Sequence, residues 1–226
     1  YPLLACVFLH VKQEITHMAL PTLIEDKDKT WIFKVITQTP EPELNACLIG
    51  FFLGSGMSTL EICRVQVRDI VKKNGQLAKC FTVKGEVSRD FYLSNIKLQN
   101  LIKSYIEKRK KDGDHPDLYN GFDEDEPFFK RSNGEHFKIK RRTTEKGNTT
   151  YHCNALNEHI KRLLSDSGIE QPSILSGRRT FAVRLKRQGV DVPTIHLMLG
   201  NKTLETTLRL IETDTVSMLA IADMAF

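Results

Sequence analysis

The chain has 226 residues, 40% hydrophobic and 27% charged, which suffices for one large core or for a domain with an appendage. Lys and Arg number 33 against 28 Asp and Glu, giving +5 and a pI near 8.9, a balance that allows a polyanionic partner without requiring one. The apolar residues 3–9 are too few to span a bilayer and lack a basic leader, which argues against a membrane protein, and the expected setting is cytoplasmic, on the nucleoid if the source is bacterial.

Residues 1–20 read as a linker or the end of a preceding segment, and residues 21–226 as the folded domain. Ile24, Trp31, Ile32 and Val35 give residues 23–38 a helical spacing. Thr39-Pro40-Glu41-Pro42 predicts a turn. The helix that follows, residues 43–53, is apolar nearly all round and so belongs at the centre of the core. Leu77, Cys80, Phe81, Val83, Phe91 and Leu93 alternate as strands do, with Gly85 in the turn of a hairpin. Residues 95–111 read as an amphipathic helix whose lysines form a solvated face.

Residues 112–148 read as loop. An acidic run, Asp123 to Glu126, is expected to be solvated. A basic run follows (Lys130, Arg131, Lys138, Lys140, Arg141, Arg142, Lys146) and is either a phosphate-contacting ribbon or ordinary surface charge. Residues 154–167 form a helix on which Asn154, Asn157, His159, Lys161 and Arg162 could face a partner. Residues 173–211 read as three short helices. The first carries Arg178 and Arg179 and ends at Gly189; the second enters at Asp191 and Pro193 and stops at Gly200; the third starts at Thr203. The five cysteines are scattered with no C-x-x-C, and they read as reduced thiols with no metal site.

Ser176-Gly177-Arg178-Arg179-Thr180-Phe181-Ala182, then Leu199-Gly200, then Thr206-Thr207 resemble the C-terminal signature of the tyrosine recombinases, the phage-integrase family. Gly56, Met57, Glu61, Ile62, Val65, Asp69 and Ile70 resemble that family's first catalytic box. The resemblance covers about residues 20–220 and implies a mainly α catalytic domain with a small antiparallel β-sheet at its edge. It also implies chemistry without metal or cofactor. A tyrosine attacks the phosphodiester, two arginines stabilise the phosphorane, a lysine protonates the leaving oxygen and histidines assist.

Carried across by position, the first arginine is Ser58, the histidine of H-x-x-R is Leu175, the histidine after L-G is Asn201 and the nucleophilic tyrosine is Leu210. Lys84, in Val83-Lys84-Gly85, and Arg178 keep their chemistry. The resemblance therefore implies a catalytically inactive recombinase-like protein that binds double-stranded DNA, regulatory or architectural, linked to a mobile element. Its expected DNA contacts are Lys84, Arg178, Arg179, Lys138, Lys140, Arg141, Arg142, Lys161 and Arg162. Two other readings stay open: an active recombinase whose nucleophile comes in trans or from beyond residue 226, and a protein-interaction module without DNA affinity. Residues 217–226 have the apolar content to dock on a second copy or on an active recombinase, and equally to pack on their own domain.

Overall fold

The computed structural model describes residues 20–212 apart from 114–116, 132, 144–146 and 148. Residues 1–19, Lys146 and the apolar segment 217–226 therefore lie outside the described residues. In chain order the elements are α1 (Asp26–Ile36), α2 (Pro42–Gly54), α3 (Thr59–Arg64), α4 (Val67–Ile70), β1 (Cys80–Val83), β2 (Arg89–Tyr92), α5 (Ile96–Lys111), β3 (Lys140–Thr143), β4 (Thr149–His152), α6 (Asn154–Asp166), α7 (Ser176–Arg187), α8 (Val192–Leu199) and α9 (Leu204–Ile211).

The all-round apolar α2 is the axis, as expected. Leu44, Leu48, Phe51 and Phe52 are buried there, and α5 and α7 both pack on it. Each such side chain contributes about 1.5–3 kcal/mol by leaving water. The short helices start where side chains satisfy their free N–H groups. Ser58 caps α3, Asp191 accepts from Thr194 N–H at the start of α8, and Thr203 accepts from Thr206 N–H at the start of α9. A large core runs through α1 to α6, while Ala182, Ile195, Leu199 and Leu210 form a second, small core joining α7, α8 and α9. This small core holds α8 and α9 on α7, which itself packs on α2.

Two antiparallel ribbons flank the helices. β1 pairs with β2 from Cys80↔Tyr92 to Val83↔Arg89, and Phe81 and Val83 point into the core. β3 pairs with β4 from Lys140↔His152 to Thr143↔Thr149, and all eight residues are exposed. The second ribbon takes up the end of the expected loop, where a ribbon is one of two readings of the basic run. Its strands bury no apolar side chain, so the sequence there has no period-two hydrophobic pattern to read.

Two further expectations are corrected. The acidic run is not simply solvated: Arg68 pairs with Asp125, and Glu126 takes Arg109 and Lys130, each at 3.4 Å. Cys63 and Cys153, 90 positions apart, are joined as a disulfide, with Cα atoms 7.1 Å apart, just beyond the usual span of such a bridge. Spacing along the chain gave no sign of this pair, because only the packing of α3 beside the start of α6 brings it together. Cys47 and Cys80 are free thiols. Among the described residues no helix is long and apolar enough to cross a membrane.

Candidate functional site

The recombinase-like motifs converge on one carboxylate. Glu61 sits in the first turn of α3, where its N–H donates to Ser58 Oγ (3.3 Å) and its Oε2 accepts from Ser58 N–H (2.7 Å). From β2, Arg89 donates to the same carboxylate through Nη1 (2.7 Å) and Nη2 (3.2 Å), and through Nε to Met198 O (2.7 Å). From α7, Arg178 Nη1 donates to Gly56 O (3.0 Å) and Glu61 Oε2 (3.4 Å), while Nη2 donates to Leu199 O (2.9 Å) and Asn201 Oδ1 (2.5 Å). Asn201 Nδ2 donates in turn to Thr207 Oγ1 (2.8 Å), which lies 2.9 Å from His196 Nδ1.

The hairpin closes over this cluster. A Cβ at Gly85 would stand 2.0 Å from Glu61 Oε1, so only glycine lets the backbone lie so close to the carboxylate. Gly200 ends α8 at φ 61°, and a Cβ there would stand 2.6 Å from Arg89 Nη1.

Burial opposes the charge on Glu61, but the Arg89 hydrogen bonds and charge, the Ser58 N–H and Arg178 outweigh it and hold the carboxyl below its usual range. Burial lowers the Arg178 pKa, and the charge of Arg89 lowers it further against the pull of Glu61; the guanidinium remains a cation. Two buried cations therefore share one buried anion. Both N–H bonds of each Arg178 terminal nitrogen are engaged within the protein, and the residue is 7% exposed. A phosphate arriving from solvent would have to displace those acceptors.

The other positions marked by the resemblance are chemically quiet. Leu210 is 6% exposed in the small core, Ser58 is a helix cap, and Leu175 is 45% exposed in the turn before α7. Thr207 has the arrangement of a hydroxyl beside an imidazole base. It is wholly buried, however, so no polymer phosphate can reach it.

The remaining cations divide by environment. Lys84 is exposed at the hairpin tip, and its carbonyl accepts from Arg64 Nη1 (3.1 Å). The same Arg64 guanidinium lies over the Tyr151 ring at 5.6 Å, so one side chain links the first hairpin to the β3–β4 ribbon. Lys138, Lys140, Arg141 and Arg142 are exposed and form no ion pair among the described residues. Lys161 pairs with Glu158 (3.2 Å), and Arg162 is exposed with Nη2 3.2 Å from His159 Nδ1.

Three expected partner-facing residues turn inward. Arg178 holds the cluster just described. Arg179, 3% exposed, donates to Pro21 O (2.5 Å) and Glu212 O (3.1 Å) and ties down both ends of the described chain. His159 is buried against Asn45, Nε2 to Oδ1 2.6 Å, and burial chiefly, with the charges of Arg162 and Arg131, lowers its pKa to about 4. Sequence reasoning missed the roles of Arg89 and Arg64. A glutamate inside a short apolar helix demands a buried cation, but only the hairpin register identifies which one.

This fold and convergence of motifs define a class. The chain belongs to the phage integrase family, whose model matches residues 23–214. It is 28% identical over 172 residues to tyrosine recombinase XerA of Saccharolobus solfataricus, the match covering 73% of this chain and 46% of that relative. The chain thus spans less than half the length of this curated relative. A crystal structure of XerA recombinase superposes with a TM-score of 0.66 at 14% identity over 91% of this chain and 64% of that one. The Tn1549 transposon integrase in complex with transposon right end DNA gives 0.59 at 15% identity, over 90% and 65%. The XerH site-specific recombinase bound to palindromic difH substrate gives 0.57 at 19%, over 90% and 53%. The mainly helical catalytic-domain fold with small antiparallel sheets is therefore the one the sequence motifs imply.

Proposed function

We propose that this domain binds double-stranded DNA without cutting it, as a regulatory or architectural member of its family associated with a mobile element. The observation that carries the reading is Leu210: at the expected nucleophile position stands an aliphatic side chain, 6% exposed in the small core. Without an oxygen there, the covalent path through a phosphotyrosine is closed. The internally engaged Arg178 and the uncharged Ser58 add support, because the terminal N–H groups of Arg178 already have acceptors and Ser58 brings no cation to a phosphorane. DNA as partner is supported by the exposed Lys84, Lys138, Lys140, Arg141 and Arg142, and by relatives solved in complex with DNA.

The test is duplex binding by the chain across a salt series, with a nicked duplex run in parallel and analysed under denaturing conditions. Binding whose log affinity falls linearly with log salt, by about 0.9 for each phosphate neutralised, is expected. No covalent adduct is expected. An adduct that survives detergent sinks the inactive reading, and no binding at low salt sinks the DNA reading. Residues 217–226 are proposed as the apolar segment that joins a neighbouring protomer. Their deletion then reduces self-association in sedimentation.

A further inference from the structure

The β3–β4 ribbon has a composition that surface charge alone does not explain. Its described residues are Lys140, Arg141, Arg142, Thr143, Thr149, Thr150, Tyr151 and His152: every side chain is polar or aromatic, none is acidic, and all are exposed. The register sorts them into two faces. Arg141 stands opposite Tyr151, and Thr143 opposite Thr149; the other face carries Lys140 opposite His152 and Arg142 opposite Thr150.

The faces differ in what lies near them. Arg64, from α3, rests on the Tyr151 ring, which turns that face toward the body of the domain. At the foot of the ribbon Cys153 is buried, as is Phe137 just before β3. The face of Lys140, Arg142, Thr150 and His152 is thus the outward one, while Arg64 on the opposite face ties the ribbon to the hairpin carbonyl of Lys84.

We propose that this outward face enters the major groove of duplex DNA and reads base edges, with Arg142 as the principal reader. The inference rests on the DNA-binding reading above. A two-stranded ribbon fits the major groove. Residues two apart on a strand are separated by about 6.6 Å, and bases two steps apart on one strand by about 6.8 Å. Lys140 and Arg142 therefore meet bases in step. Arginine presents two parallel donors that match guanine O6 and N7. The Thr150 hydroxyl is engaged within the ribbon, 3.3 Å from Arg142 O and 3.0 Å from His152 Nε2, so it supports the reader and does not read. Lys84 lies on a different hairpin, where it would meet backbone phosphate and carry no sequence information.

The experiment is selection from a random duplex library with the chain, with its Arg142→Ala and Lys140→Ala variants, and with Lys84→Ala, each first checked for an unchanged melting curve. Wild type is expected to enrich a motif. Arg142→Ala is expected to lose preference at one or two adjacent positions and about ten- to hundredfold in affinity for the selected site. Lys84→Ala is expected to weaken all sequences alike. Enrichment of the same motif by Arg142→Ala overturns the proposal, and so does binding by wild type without any preference; both leave the DNA-binding function standing. Absence of DNA binding by wild type overturns both. Equal, ribbon-dependent binding to duplex RNA also refutes groove reading, because the A-form major groove is too narrow for the ribbon.

Discussion

Two groups of arginines in this molecule serve opposite ends. Around Glu61, Arg89 and Arg178 are buried and committed to acceptors within the protein. On the β3–β4 ribbon, Arg141 and Arg142 are exposed and unmatched by any described carboxylate. The first group carries the family motif and the second carries none. A motif therefore marks where a guanidinium sits, while its surroundings decide what it can do. In the interior, a charge committed to fixed acceptors is hard to withdraw; on the surface, a solvated charge is free to meet an incoming phosphate or base.

Several changes would break or sharpen that contrast. The largest effect is expected from Glu61→Gln, which leaves Arg89 and Arg178 buried with no anion between them. Urea denaturation should show a loss of about 3–5 kcal/mol. A loss below about 1 kcal/mol would mean that the cluster is solvated in solution and not structural. Next comes acid. His159 has a folded pKa of about 4 against 6.5 unfolded, so between those values the unfolded chain holds the extra proton. Stability should be intact above pH 6.5 and fall progressively toward pH 4, by up to about 3 kcal/mol. In His159→Gln that part of the pH dependence should vanish from the unfolding curves.

Leu210→Tyr tests the small core and the chemistry together. Overpacking should cost about 1–3 kcal/mol, and the variant should still form no adduct on nicked DNA, because Arg178 and Ser58 remain as they are. Adduct formation would show that the rest of the site is competent. The smallest stability effect belongs to the ribbon. The combined Lys140→Ala, Arg141→Ala and Arg142→Ala chain should keep its unfolding free energy within about 0.5 kcal/mol of wild type. Its salt slope for DNA binding should flatten by about 0.9 for each phosphate that is no longer neutralised.

Most of the architecture was legible in the sequence. Apolar periodicity gave α2 and α5, and capping residues with Gly189 and Gly200 placed α7, α8 and α9 within a residue or two. The site was legible only in outline. Short motifs located Ser58, Glu61, Arg178 and Asn201, but which of them touch one another depends on long-range packing: Arg178 meets Glu61 across 117 positions. Burial was the hardest property to foresee. Arg179 and His159 look like surface residues in the sequence, and only the assembled helices enclose them. The second ribbon stayed one of two readings of the basic run for the opposite reason, since strands that bury nothing carry no hydrophobic signal.

Arg179 has one more consequence. Its guanidinium reaches Pro21 O and Glu212 O together, so backbone 191 positions apart in sequence (212 − 21 = 191) meets within the span of one side chain. The backbone at Pro21 and the backbone at Glu212 therefore lie at the same pole of the domain. Arg179→Ala would release both of these backbone points at once. The same closeness makes the domain suitable for circular permutation: a short flexible linker from Glu212 to Pro21, with new ends opened at an exposed turn, should return the same fold.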